Sequence, residues 1–257
     1  MSNILVCVKR VPDTGGEVSL TADESNIETA HLGATVSPHE ECAIELAVQT
    51  AAATDGEVTV LTLGDEDAVE QLRNAVALGC TNAVLIEADA ATYGPIDIAK
   101  AIGDVVRVHE AAGTTYDLVL LGNDAADTGD FQVGVRLAYD LGRPVVTGIS
   151  TIEVQGTQVI AKGDGPVGGT QVFEVPMPAV VTIMEGGVEP RYPSIPGRMK
   201  AKRAKIEFIE PNLEPVGAAR VVLRLPPKPP SQVTVLGEGA AAAPAVADLL
   251  EKLGVIK

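Results

Sequence analysis

Apolar and polar positions in the first half of this chain come in blocks. Ile4, Leu5, Val6, Cys7 and Val8 form a continuous apolar run, the mark of a strand buried on both faces. Similar runs recur at Val58 to Leu63, Ala83 to Ile86 and Leu118 to Leu121. Between them the spacing turns helical. Ile44, Ala47, Val48 and Ala51 predict a helix from Ser37 to about Ala53, and two more are predicted over Glu66 to Leu78 and Pro95 to about Ala112. Ser37, Pro38 and Glu40 give the first helix a clear start: a capping hydroxyl, a proline at the first helical position and a capping-box carboxylate. Val133, Leu137, Ala138 and Leu141 predict a fourth helix, with Asp130 as its N-cap and Gly142 closing it. Repeated alternation of strand and helix specifies an α/β fold: an open, mostly parallel, Rossmann-like sheet with right-handed crossovers and the first strand near its centre.

After Pro144 the pattern changes. Val145 and Val146, Ile149 to Val154, Gln158 to Ala161 and Gln171 to Val175 are short apolar stretches separated by glycines, and predict an antiparallel hairpin insert at about 149–175. Gly163 to Gly168 spells GxGxxG, but Thr170 to Val175 reads as a strand where that fingerprint needs a helix, so it is a hairpin turn. Ala179 to Ile183 returns to a buried run. The α/β domain is expected to span 1–210, followed by an arm over 211–257. In the arm, Pro226, Pro227, Pro229 and Pro230 form a stiff linker, and Ala243 to Leu253 a last helix. It carries too little apolar surface to fold alone and is expected to pack on another chain.

Composition narrows the class. Apolar residues are 46 % of the 257 and aromatics only 3 %, so the core is aliphatic. A formal charge of −16 argues against nucleic acid as a partner. No apolar run is long enough to span a membrane and the start lacks a secretory signal, so a cytoplasmic location without membrane insertion is expected. Cys7, Cys42 and Cys80 have no metal-ligand spacing and read as buried thiols. His31, His39 and His109 join no nucleophile, and no hydrolase elbow or Walker loop occurs. The chain reads as a binder without bond chemistry of its own.

The candidate binding stretch is the loop that follows Leu121. Gly122, Asn123, Asp124, Ala125, Ala126, Asp127, Thr128, Gly129, Asp130, Phe131, Gln132 and Val133 join a strand end to a helix start, an arrangement that presents backbone N–H groups to an anion, usually a phosphate. Its three carboxylates would repel that anion unless they point away, cap, or meet a metal. For a nucleotide, the matching positions are the strand ends near Cys7 and Leu63 and the helix start Ser37, Pro38, His39, Glu40, all bordering the crevice at the carboxyl edge of the sheet. A second singular stretch is EGGVEPRYPSIPGRMKAKRAK, from Glu185 to Lys205. Pro190, Pro193 and Pro196 are expected to hold it extended. Tyr192 and Ile195 lack a local core, and Arg198, Lys200, Lys202, Arg203 and Lys205 are a basic cluster on an acidic protein, which suits docking to an acidic partner.

Taken together, LVCVKRVPD, the Ser-Pro helix start with AIELAV, VTVLTLG, LRNAVALG, DLVLLG with the Asp-spaced loop ending Gln132-Val133-Gly134, and EPRYPSIPGRMKAK resemble the β subunit of electron transfer flavoproteins over nearly the whole length. The resemblance implies an adenine-nucleotide-binding subunit of a heterodimer. Its partner α subunit holds most of an FAD, and the β subunit buries AMP at Cys7, 37–40, Leu63 and 122–133. It also implies a recognition loop for acyl-CoA or related dehydrogenases at Pro190 to Lys205, including Arg191, Tyr192, Lys200 and Arg203, with Ile195 in place of the usual Leu anchor. This sequence departs from the family at Gly197 and Arg198, where Asn and Ile are usual. It departs again at Lys162 to Gly165, where an Arg and an acidic residue commonly face the flavin, and at Ser37, where Asn is usual. Two alternatives stay open: an electron-bifurcating relative with a second FAD in place of AMP, and a stand-alone adenine-nucleotide sensor.

Overall fold

The computed structural model describes residues 1–13, 15, 18–217, 222–227 and 233–256. They divide into two units, Met1–Leu223 and Arg224–Lys257. The first begins with β1 (Ile4–Cys7), every residue of it buried, and a two-residue ladder of β2 (Val11–Pro12) with β3 (Ala34–Thr35). Then come α1 (Pro38–Thr54), β4 (Val58–Gly64), α2 (Val69–Leu78, after a short 3₁₀ turn), β5 (Asn82–Glu87), α3 (Pro95–Ala111), β6 (Leu118–Gly122) and α4 (Val133–Leu141). β7 (Val145–Gln155), β8 (Gln158–Asp164), β9 (Thr170–Pro176), β10 (Ala179–Ile183), α5 (Ile195–Arg203) and β11 (Ile206–Ile209) complete it.

The nine-stranded sheet has the order β11-β5-β4-β1-β6-β10-β7-β8-β9. Every neighbouring pair from β11 to β7 is parallel and the last two pairs are antiparallel, so β1 is the middle of the parallel part, as its unbroken apolar run requires. One face packs Ile4, Val6, Val60, Leu85, Leu120 and Val181 under α1 and α2. The other packs Leu5, Leu61, Val84, Val119 and Val180 under α3 and α4. Each side chain alternates to the opposite layer, and both layers are apolar.

Four expectations are corrected. The stretches at 145–146 and 149–154 are one strand, parallel to β10 at its start and antiparallel to β8 thereafter; Gly148, at φ +69°, provides the bend between the two pairings. Asp130 does not cap α4: Phe131 at φ +53° turns the chain after it, and the N-cap is Gln132. Pro196 does not hold an extended loop but lies in the first turn of α5, where a proline's missing N–H costs nothing. Residues 211–217 do not leave the α/β unit. Val216 and Gly217 donate backbone N–H groups to Asp97 at 3.1 and 2.7 Å, and the unit ends at Leu223 rather than at 210. The 163–168 stretch is the β8–β9 hairpin turn. In the second unit α6 (Ala243–Lys252) is a helix; Pro229 and Pro230 lie outside the described residues.

Close approach of α4 to the sheet depends on one missing side chain. A Cβ on the buried Gly134 would stand 2.4 Å from Thr182 Cγ2 on β10. Gly134→Ala is therefore expected to lower stability by about 1–3 kcal/mol through overpacking, despite alanine's better helix propensity, as read by urea unfolding. Unchanged or higher stability would show that α4 can slide outward freely.

Candidate functional site

The carboxyl edge of the sheet is where the sequence-predicted binding residues meet. β1, β4, β6 and β10 end there at Cys7, Gly64, Gly122 and Ile183. The first turn of α1 sits directly on the end of β6: a Cβ at Gly122 would lie 2.8 Å from Glu40 Cγ and 3.3 Å from His39 Cβ.

Glu40 ties three segments together from a position only 5 % exposed. Its Oε2 accepts the Ser37 backbone N–H at 2.9 Å and the Ser37 hydroxyl at 2.8 Å, and its Oε1 accepts the Lys9 backbone N–H at 2.8 Å. The carboxylate half of the expected capping box is present. The Ser37 hydroxyl also donates to that carboxylate. Burial pushes the Glu40 carboxyl up to about 7, against the lowering pull of the Ser37 and Lys9 contacts.

Two of the three carboxylates in the loop after Gly122 meet partners from other segments. Lys9 Nζ bonds Asp127 at 2.8 Å, and His39 Nε2 lies 3.2 Å from Asp124. Because His39 Nδ1 accepts the Glu185 N–H at 2.9 Å, the ring proton sits on Nε2, facing the carboxylate. Asn123 anchors the loop's start: its Oδ1 accepts the Thr182 hydroxyl at 2.8 Å and the Gly148 N–H at 3.0 Å. A turn closes with Gly129 N–H donating to Ala125 O at 2.9 Å. Gln132 occupies the N-cap position of α4 without a side-chain cap bond, since its side-chain oxygen is held by Arg136 at 2.8 and 3.0 Å. The first-turn N–H groups of α4 are thus left open at the positive end of a helix dipole. Among the described residues, no group of three or more His, Cys, Asp or Glu could hold a metal ion.

Cys7 and Leu63 are buried in the α3/α4 layer, so only their backbone can face a ligand, and burial drives the Cys7 thiol far up. Beside Leu63, Thr62 Oγ1 is buried without a hydrogen-bond partner among the described residues. Asp130 and Phe131 are exposed beyond the pinned part of the loop. A hollow of about 360 Å³ lined by Met1, Ser2, Thr54, Asp117 and Met177 opens at the opposite, amino edge of the strands and belongs to no part of this site. Lys9 and Thr182 were not among the residues singled out from sequence. Lys9 could have been, since it stands two residues past the end of the central strand.

The second stretch forms a separate surface. α5 lies on α2 through Gly197 and Ala201: a Cβ at Gly197 would meet Ala77 O at 2.2 Å, and Arg73 donates to Ala201 O at 2.6 Å. At 100° per residue, Ile195, Arg198, Met199, Lys202 and Arg203 therefore face outward. Ile195 is 81 % exposed and Tyr192, just before the helix, 92 %. Two of the expected docking cations are occupied within the chain. Lys200 Nζ donates to Cys80 O at 3.3 Å, and Arg191 pairs with Glu45 through Nε–Oε2 at 2.6 Å and Nη2–Oε1 at 2.8 Å. The guanidinium holds Glu45 below the usual carboxylate range. Pro190 is half-buried at the base of this surface.

The buried Glu40 gives a pH dependence of known sign. Its pKa rises from 4.5 unfolded to about 7 folded, so between these values the folded state holds the extra proton. Its contribution is most favourable below 4.5 and is lost as pH rises to about 7, then stays flat. Urea unfolding from pH 5 to 8 should show the native chain losing a few kcal/mol relative to Glu40→Gln over that window. Parallel stability curves would mean the carboxyl stays ionised.

A family model described as an electron transfer flavoprotein domain matches residues 25–213. The electron transfer flavoprotein subunit beta of Bacillus subtilis strain 168 is 36 % identical over 208 residues, covering 81 % of this chain and 79 % of its own. That of Syntrophomonas wolfei is 32 % identical, covering 88 % and 91 %, and that of Mycobacterium bovis 31 % identical, covering 93 % and 95 %. With the strands from β4 to β11, the pinned loop and the outward-facing α5 all falling within residues 25–213, the chain belongs to the electron transfer flavoprotein family, as a relative of its β subunits.

Proposed function

We propose that this chain is the smaller subunit of a heterodimeric, cytoplasmic electron carrier, filled by AMP at the carboxyl edge of its sheet. The observation that carries the reading is the disposal of the loop carboxylates. Asp127 is neutralised by Lys9 and Asp124 by the His39 N–H, which leaves small side chains, backbone and the uncapped start of α4 to meet a phosphate. Cys7, Ser37 to Glu40, Leu63 and 122–133 would hold the nucleotide, largely through backbone. In this reading a partner α subunit holds most of an FAD, which supplies the redox chemistry. This chain does no bond chemistry; it covers part of the flavin held by its partner and offers a docking surface.

That surface is the outward face of α5. Ile195 and Met199 are one helical turn apart, both at least half exposed, and Arg198, Lys202 and Arg203 surround them, a combination suited to a hydrophobic pocket with an acidic rim on an acyl-CoA or related dehydrogenase. In the second unit, Val246, Leu249 and Leu253 are exposed at i, i+3 and i+7 of α6, an apolar stripe that the α subunit would cover.

The chain, co-purified with the α subunit encoded in the same genome and then denatured, should release one FAD and one AMP per heterodimer. Release of two FAD and no AMP would replace the AMP reading with the bifurcating one. Ile195→Ala should raise the KM for a reduced acyl-CoA dehydrogenase about tenfold while both nucleotides stay bound. Loss of flavin in that variant would overturn the docking role.

A further inference from the structure

The chain between β10 and α5 is clamped in register along α1. Glu185 N–H donates to His39 Nδ1, Cys42 Sγ lies 3.5 Å from Val188 O, and Arg191 N–H donates to Glu45 Oε2 at 3.1 Å; each pair is separated by 146 residues. This strap therefore advances along the first two turns of α1 three residues at a time. It is held from its other side as well, because a Cβ at Gly187 would stand 1.9 Å from Ser150 O on β7. The strap ends at the bidentate Arg191–Glu45 pair, and the next residue is Tyr192, followed by the Ser194 cap of α5, whose hydroxyl accepts the Gly197 N–H at 3.1 Å.

Glu45 is 5 % exposed: Gln49 donates to Oε1 at 2.6 Å, and Arg191 supplies side-chain and backbone donors. A planar guanidinium bonded at two points fixes direction as well as distance, which a lysine in the same place cannot do. The Arg191 guanidinium is thus committed to Glu45 although 42 % of the side chain stays exposed, and it stands at the boundary between the clamped strap and the exposed Tyr192 and Ile195.

We propose that Glu45 and Arg191 are positioning residues for docking. Their pair sets where Tyr192 and Ile195 stand, and Arg191 makes no contact with the partner itself. The proposal rests on the reading of α5 as the docking face, and it assigns Arg191 the opposite role from that expected of a surface cation.

The test is a double-mutant cycle on the intact heterodimer, with a medium-chain acyl-CoA dehydrogenase reduced by its acyl-CoA as donor. KM for the donor, kcat, flavin content and thermal unfolding are followed together. Arg191→Lys keeps the charge and loses the fork. It should raise KM about five- to tenfold and do so only when Ile195 is present, so that its effect vanishes in the Ile195→Ala background. Glu45→Gln should give the same rise, and no further rise when combined with Arg191→Lys. Additive effects of Arg191→Lys and Ile195→Ala would mean that Arg191 touches the partner directly, overturning the proposal. A fall in kcat and flavin content without the KM change would reduce the pair to a structural contact and overturn it too. If Ile195→Ala alone leaves KM unchanged, the docking face itself is misassigned, a failure separate from that of the positioning role.

Discussion

A carboxylate buried where strand ends and a helix start converge is the constraint on which the rest of this site depends. Glu40 takes backbone donors from two segments distant in sequence, the turn after β1 and the residue that opens α1. An ion removed from water is tolerated only when such donors surround it, and the raised pKa records how incompletely they compensate. In return the first turn of α1 is held against Gly122, so that the end of β6 and the start of α1 cannot separate. A side chain at Gly122 would enter that contact. The loop that follows therefore begins from a fixed point, and its carboxylates meet Lys9 and His39, which stand on the two segments Glu40 joins.

For the proposed nucleotide site, this arrangement answers an electrostatic difficulty. An acidic loop on a chain of net charge −16 is a poor place to receive a phosphate by long-range attraction. Local geometry overrides it. Each pinned carboxylate has a donor or cation within hydrogen-bond reach. The fields that remain at short range are those of backbone N–H groups and of an uncapped helix start. The opposite tactic operates on α5, where positive charge is concentrated and left in water around exposed apolar groups.

How much of this was legible in the sequence varied with range. The strands of the parallel sheet were legible because burial on both faces leaves an unbroken apolar run, as in Ile4 to Cys7 and Val58 to Leu63. Ser37, Pro38 and Glu40 announced α1 through local chemistry. Local reasoning failed where tertiary contacts decide. Asp130 had the right residue type for a cap, but the chain turns at Phe131 before the helix begins. Residues 206–209, Ile-Glu-Phe-Ile, make a run too short to stand out in sequence, and form β11 where β5 offers them an edge. Arg191 looked like a docking cation because nothing in sequence ties it to a glutamate 146 residues earlier. The candidate binding residues were found as a set because strand ends in an open parallel sheet share an edge, whereas Lys9 and Thr182 become visible only when that edge is assembled.

The Arg191–Glu45 pair is best understood as a specificity device. An ion pair with one buried and one exposed partner adds little net stability, because Glu45 must be desolvated and Arg191 stays screened by water. Its geometric content is different: two parallel hydrogen bonds at 2.6 and 2.8 Å allow one orientation of the guanidinium plane, where apolar contacts would allow several. The position of the pair makes that content useful. It lies at the end of a strap whose other end, at Glu185, rests on the same histidine that meets the binding loop through Asp124. α1 is thereby the common base of both surfaces. Its first turn braces the loop at the carboxyl edge and its second turn aims the exposed side chains before α5, so the two can be built to one fixed distance without touching each other.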